Sequence, residues 1–311
     1  VQKNSLISIM GPTGIGKTDL AFQLYDSTDI EIIGVDSVQV YKHLNIGSGK
    51  PNKELLRKYP HKLIDIIEPH ENYSTGKFQK DCIKEIKTIN TSNKTPLLVG
   101  GTMLYFKNLF YGLSKLPEST KDIRDQVEME CKKKGLEAMY EYLIKIDPKS
   151  ASNIHPNDSQ RIKRAIEVYR LTNKPISLWR QESYTEVHED IKPFNVFQFA
   201  IKPKDKELHR EKIAIRFKDM IDMGLIKEVE EILNIKQMST DKPSMNSVGY
   251  KEVSDYLNGD LSFDEMIARG IIATRQLAKR QMTWLRSWNK IIWLEEDSVN
   301  NLKIILDSIK K

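Results

Sequence analysis

Leu6-Ile7-Ser8-Ile9-Met10-Gly11-Pro12-Thr13-Gly14-Ile15-Gly16-Lys17-Thr18-Asp19-Leu20-Ala21-Phe22 is the stretch on which the reading of this chain turns. Its apolar opening is the signature of a buried strand. Asp19 to Leu24 reads as the first turns of a helix. Between them, Gly11 to Thr18 fits the phosphate-binding P-loop pattern, and a strand before with a helix after is the context that pattern requires. The glycines let backbone N–H groups close on an anion with no Cβ in the way. The new helix adds unpaired N–H groups and the positive end of its dipole. Lys17 offers a mobile point charge, and the Thr18 hydroxyl can sit on a Mg²⁺ ion. Gly11, Pro12, Thr13, Gly14, Ile15, Gly16, Lys17 and Thr18 are therefore the expected diphosphate-binding residues, with Thr18 as the metal ligand. A glycine turn with an incidental lysine is the bland alternative, and the flanking strand and helix tell against it. The loop specifies phosphate or diphosphate and does not specify ATP.

Outward from the loop, strand and helix signals alternate, which predicts an α/β fold with a parallel sheet flanked by helices. Ile30 to Val35 is a second strand ending at Asp36-Ser37, placed beside the first if the order follows the usual crossover. His61 to Ile67 is a third candidate, stopped by Pro69. Phe78, Cys82, Ile86 and Ile89 follow a helix spacing, and Pro96 to Val99 is another buried strand, running into Gly100-Gly101-Thr102. In an open parallel sheet such carboxyl ends line one edge, where ligands bind.

From about Leu116 the texture becomes strand-poor and charge-rich, with helix patterns at Ile123, Val127 and Cys131 and at Leu136, Met139 and Leu143. Strand signals return at Phe194 to Ile201 and at Ile291 to Leu294. The expected organisation is a P-loop core of residues 1–114 and 194–311, interrupted by an all-helical insertion at 115–193. A helix from Glu207 to Met223 ends at Gly224, and a long one at 264–288 carries Arg269, Arg275, Lys279, Arg280 and Arg286.

Composition excludes several classes. Hydrophobic residues are 39% and charged residues 30%, as in soluble globular proteins, and no stretch nears the ~18 apolar residues of a membrane span. No signal-peptide layout is visible, and two cysteines make neither a disulfide framework nor a zinc site, so the cytoplasm is the expected compartment. A net charge of +6 hints at a polyanionic partner.

Asp36 is the sharpest candidate after the loop, since a carboxylate there can take a proton from a nucleophile or hold a water on the metal; a simple turn or cap is the alternative. Gly100-Gly101 allows close backbone approach, with the Thr102 hydroxyl as donor. Gln160-Arg161-Ile162-Lys163-Arg164 sets three cations within about one helical turn, Arg161 and Arg164 on one face and Ile162 with Ile166 buried on the other. With the Arg275-Lys279-Arg286 series this makes a phosphate-backbone footprint plausible. Trp284 and Trp288 read as core, and the histidines show neither metal spacing nor a catalytic partner.

With these segments assembled, the chain resembles the tRNA dimethylallyltransferases, also called isopentenyl-diphosphate:tRNA isopentenyltransferases. The blocks that carry the resemblance are the P-loop, Val35-Asp36-Ser37-Val38-Gln39-Val40-Tyr41, Ile46-Gly47-Ser48-Gly49-Lys50-Pro51 and Val99 to Tyr105. They continue with the Arg161 to Tyr169 helix, Val248-Gly249-Tyr250-Lys251-Glu252 and Thr274 to Gln281, in order and end to end. Ser48-Gly49 stands where the family usually has Thr-Ala, and Ile15 occupies a variable loop position. The zinc-finger extension of eukaryotic relatives is absent, similar to the bacterial branch.

The resemblance implies a fold, a reaction and a set of roles. The loop would grip the diphosphate of dimethylallyl diphosphate, with Mg²⁺ as cofactor. The acceptor would be N6 of adenine 37 in a tRNA anticodon loop, flipped into the pocket. Asp36 would be the base, while Thr102 and Arg216, carried over by motif position, would stabilise departing pyrophosphate. Asp36, Ser37, Val38 and Gln39 together with Gln160 to Arg164 resemble the family's tRNA-contacting segments, and the insertion would grip the anticodon stem-loop. A monomer acting on tRNA is the expectation. The alternatives are an adenylate isopentenyltransferase on free nucleotides, a P-loop kinase or NTPase, and a non-catalytic RNA-binding module. The cationic insertion and helix argue for a large RNA, no Walker-B strand is visible, and an RNA-binding module would leave the P-loop and Asp36 without purpose.

Overall fold

The apolar run at the head of the chain forms strand β1 (Ser5–Met10), buried at every residue. A strand covered on both faces belongs inside a parallel sheet with helices on either side. The computed structural model describes residues 4–112, 116–117, 119–181 and 187–310. After β1 come α1 (Lys17–Ser27), β2 (Ile30–Val35), α2 (Lys53–Lys58), β3 (His61–Lys62), α3 (Thr75–Thr91), β4 (Thr95–Gly100) and α4 (Met103–Tyr111). Four helices follow: α5 (Lys121–Ile146), α6 (Pro148–Ala151), α7 (Ser159–Thr172) and α8 (Ile176–Gln181). The chain then runs through β5 (Asn195–Lys202), α9 (Lys206–Asp222), α10 (Leu225–Leu233), α11 (Tyr250–Leu257), α12 (Phe263–Arg286), β6 (Ile292–Glu295) and α13 (Asn301–Lys310).

The described strands form one sheet in the order β3-β2-β4-β1-β5-β6, every pair parallel. The α/β, P-loop-type expectation is therefore met. β5 pairs with β1 from Ser5 opposite Asn195 to Met10 opposite Ala200, so the late strands complete the early sheet. Two finer expectations fail. β2 does not lie beside β1, because β4 sits between them, with Leu97 opposite both Ile7 and Ile32. All six residues of β4 are buried, and an interior slot is where such a strand belongs. The strand expected over 61–67 is only His61–Lys62, because Leu63 (φ 61°) and Asp65 (φ 55°) turn left-handed and end the ladder.

Local signals explain the helix limits. Ser262 and Glu265 form a reciprocal capping box that starts α12. The two helix patterns of α5 meet at a break, Gly135 (φ 83°, ψ 162°).

The described residues divide into two compact units, one up to Lys107 and from Asp190 onward, the other from Asn108 to Glu189. These limits differ from the 115 and 193 read from sequence. The larger unit has a core of Ile7, Ile9, Leu24, Ile32, Leu97, Phe199 and Ile305 at the sheet. A second core, built on Val40, Tyr41, Met220, Leu225, Tyr250 and Met266, seats α9 to α12. The smaller unit packs Val127, Met139 and Leu143 against Ile162, Ile166 and Val168. No helix among the described residues is long and apolar enough to cross a membrane.

Candidate active site

Where β1 ends, Gly14 (φ 74°) and Gly16 (φ 86°) take left-handed conformations that favour glycine, and they fold the loop back on itself. Gly16 then caps α1 with no side-chain hydrogen bond, so the first N–H groups of that helix remain open to an anion. Lys17 donates from Nζ to the Pro12 carbonyl at 2.7 Å. Burial of its ammonium lowers its pKa to about 8, against the pull of Asp36 and helped by the repulsion of Arg216. Burial likewise lowers Arg216 on α9, opposed by Asp36 and Asp19. The Arg216 guanidinium presses on the 47–49 loop, where a Cβ on Gly49 would stand 2.0 Å from its Nη2. Three chain segments thus bring Lys17, Asp36 and Arg216 into one electrostatic group.

The Asp36 carboxylate has two faces. Oδ1 accepts from the Val38 and Gln39 N–H groups at 2.8 and 3.2 Å, capping the turn after β2. Oδ2 makes no hydrogen bond among the described residues. The capping alternative and the site reading are compatible, one oxygen for each. Thr102 Oγ1 accepts from the Ser37 N–H at 3.1 Å, tying the end of β4 to the same turn. Close approach of β2 and β4 needs glycine here, because a Cβ on Gly100 would lie 2.0 Å from the Val35 carbonyl oxygen.

These groups surround a cavity of about 510 Å³. Thr13 to Thr18, Asp36, Val38, Gln39, Gly101 and Arg216 line it, whereas Gly11, Pro12, Ser37 and Thr102 are not among its lining residues. A smaller hollow of about 60 Å³ adjoins Thr13 and Gly14, walled by Ile213, Phe217, Met220 and Leu277. An anion cradle, a carboxylate and an apolar recess therefore meet in one place. The Thr18 hydroxyl suits a divalent ion held mainly by a ligand's phosphate oxygens and water.

The second group of expected residues lies on α7. Gln160 and Arg161 are exposed, and Arg161 pairs with Asp158 at 3.3 Å. Lys163 pairs with Glu128 at 2.7 Å, and Arg164 with Glu167 at 3.5 Å and the Pro117 carbonyl at 2.8 Å. Ile162 is 0% exposed in the core of the smaller unit, so its side chain holds the helix and presents nothing to a partner. On α12, Arg275 donates to the Arg210 carbonyl, and just past the end of that helix Trp288 donates to Gln198 at 2.6 Å.

Several residues to which the sequence assigned no role support the site. The Glu228 carboxylate accepts from three successive N–H groups, Asn45, Ile46 and Gly47, and from the Tyr250 hydroxyl. Tyr250 in turn accepts from the Ser48 N–H, so the pair fixes the loop against which Arg216 rests. His209 is buried beneath Gly14; burial holds its pKa below the usual value, with Glu296 opposing. Gln281 bridges the phosphate loop and the end of β4. For Gln281 the signals were its place at the end of the Thr274 to Gln281 block and its being an uncharged residue on the buried stripe of a cationic helix, whereas an acid on an amphipathic helix gave none for Glu228.

Residues 39–288 match the model of the family described as IPP transferase. The structure is similar to the tRNA isopentenylpyrophosphate transferase of Bacillus halodurans, with 31% identity, a TM-score of 0.71, and coverage of 99% of this chain and 96% of that one. It is also similar to the tRNA delta(2)-isopentenylpyrophosphate transferase of Staphylococcus epidermidis, at 32% identity, TM-score 0.68, and coverage of 99% and 98%. A eukaryotic dimethylallyltransferase acting on tRNA matches at 26% identity and TM-score 0.78, over 99% of this chain and 77% of its own. The matches run through both units and the phosphate loop, and the chain belongs to the IPP transferase family.

Proposed function

We propose that this chain transfers a dimethylallyl group from dimethylallyl diphosphate to N6 of adenine 37 in a tRNA anticodon loop and releases pyrophosphate. The observation that carries the reading is the meeting of Asp36 with Lys17 and Arg216 at one cavity on the phosphate loop. Such a site holds a diphosphate and a proton acceptor at once. The named activities of the similar bacterial and eukaryotic enzymes support tRNA as the acceptor.

In the proposed reaction the diphosphate lies on the loop N–H groups and Lys17, with its five-carbon tail toward the 60 Å³ recess. The exocyclic amine is a weak nucleophile because its lone pair is delocalised into the ring. Asp36 Oδ2 accepts its proton as the N–C bond forms, while Oδ1 keeps the turn in place. The C–O bond to the diphosphate breaks, and Lys17, Arg216 and the loop N–H groups take up the growing charge. Thr102 acts through Ser37 on the same turn. A Mg²⁺ ion on the Thr18 hydroxyl would neutralise phosphate charge. Asp36 to Gln39 and, on α7, the exposed Arg161 with the partly buried Lys163 and Arg164 would meet the RNA, which the smaller unit would grip. We take the enzyme to be cytoplasmic and monomeric.

Incubation with unmodified tRNA, Mg²⁺ and radiolabelled dimethylallyl diphosphate, or radiolabelled ATP, tests the reading. Label on the tRNA from the first donor is expected. ATP hydrolysis with no label on the RNA would favour an NTPase or kinase, and labelling of free AMP would favour the nucleotide-prenylating alternative.

A further inference from the structure

Gln281 stands on α12 with only 8% of its surface exposed. Its Oε1 accepts from the Thr13 N–H at 2.9 Å, and its Nε2 donates to the Gly101 carbonyl at 2.8 Å. Thr13 belongs to the phosphate loop. Gly101 directly precedes Thr102, whose hydroxyl oxygen accepts from the Ser37 N–H beside Asp36. One buried amide therefore joins the half of the site that holds a leaving group to the half that takes a proton. The join needs an acceptor at one end and a donor at the other, at this reach. An ionised glutamate lacks the donor, and methionine lacks both. Gly101 is shaped to the bridge, because a Cβ there would lie 2.4 Å from Nε2.

We propose that Gln281 is a positioning residue for prenyl transfer: its amide sets the separation between the phosphate loop and the end of β4, and so between the departing diphosphate and the carboxylate of Asp36. The proposal rests on the function proposed above. Gln281 acts through Thr13 and Gly101. A misplacement of about 1 Å at reacting atoms costs on the order of 10²-fold in rate.

Two variants separate this role from simple support of the fold. Gln281→Met removes both hydrogen bonds, and Gln281→Glu keeps the acceptor while losing the donor at neutral pH. At pH 7.5, kcat for tRNA prenylation is expected to fall ~10–100-fold in both, with KM for dimethylallyl diphosphate within about threefold of wild type. Relative to wild type at each pH, Gln281→Glu should recover as the pH drops toward ~5.5, because burial at this position raises the carboxyl's pKa and the protonated group again donates to Gly101 and accepts from Thr13; Gln281→Met should not. Amide exchange at Thr13 should quicken in Gln281→Met, with or without turnover. Variants within threefold of wild-type kcat, identical pH profiles for Glu and Met, or unchanged Thr13 exchange would each overturn the proposal. A wild-type protein that transfers nothing would remove the proposed function alone, and Thr13 exchange would still decide whether the bridge holds the loop.

Discussion

Lys17→Met should make the free protein more stable while destroying its anion site. The wild-type ammonium sits where burial lowers its pKa from 10.5 to about 8. At about 1.4 kcal/mol per pH unit, that fall corresponds to roughly 3 kcal/mol against the charged form. Residual solvent at a half-buried side chain reduces this, and methionine also forfeits the 2.7 Å hydrogen bond to the Pro12 carbonyl, worth about 1 kcal/mol. A net gain of about 2 kcal/mol remains, or ~4 °C in Tm for a unit of this size. The pH dependence has a definite sign. Below the folded pKa of about 8 the lysine is charged in both folded and unfolded chains, and the cost is present in full. As pH rises toward 10.5 the unfolded lysine also loses its proton, and the advantage of methionine fades. Pyrophosphate with Mg²⁺ at ~100 Kd should stabilise wild type by about 2.7 kcal/mol and leave the variant unmoved. Thermal unfolding followed by near-ultraviolet circular dichroism at pH 7 and pH 10.5, with and without pyrophosphate, measures all of these. A variant that melts at or below wild type at pH 7, or that pyrophosphate stabilises equally, would refute the reasoning.

Further measurements probe the rest of the site. Asp36→Asn should keep the caps to Val38 and Gln39 through its side-chain oxygen while losing the base, so kcat falls ~10²–10⁴-fold with pyrophosphate affinity held; single-turnover prenylation beside calorimetric titration tests this. Affinity for tRNA should fall steeply with salt, and Arg161→Ala should lower the slope of log K against log salt by about 0.7 to 0.9, as filter binding from low to moderate salt would read. In the smaller unit, Asp147 is 2% exposed and accepts from the Ser150 N–H and hydroxyl and the Ser177 N–H. Burial raises its pKa, yet these hydrogen bonds outweigh it and leave the pKa below the usual value, so its contribution is present at neutral pH and lost as acid titrates the carboxylate. Asp147→Ala should cost about 3 kcal/mol in urea unfolding at pH 7, and the difference should shrink as the pH falls through the acid range and the carboxylate is protonated.

The phosphate loop was legible because everything it needs is contiguous. Strand, glycines, lysine, hydroxyl and helix follow one another within residues 6–24, and the left-handed angles of Gly14 and Gly16 are what such spacing demands. Strands buried on both faces announced themselves as unbroken apolar runs for the same reason. Ile162 shows the limit of a segment carried over as a block: helical periodicity read it as buried, and it is 0% exposed, although the resemblance placed the whole 160–164 run among RNA contacts.

The sequence by itself determined an α/β chain with an anion cradle at its head and the family to which the ordered motif blocks belong. Only the tertiary structure decided that β4 lies between β1 and β2, that Arg216 reaches the loop through the glycine at 49, and that Gln281 and Glu228 hold the two walls of the site. Local patterns fix local backbone, because sterics and burial act over a few residues. Bonds such as that from Thr13 to Gln281 join groups 268 positions apart, and their partners exist only once the sheet and helices have packed.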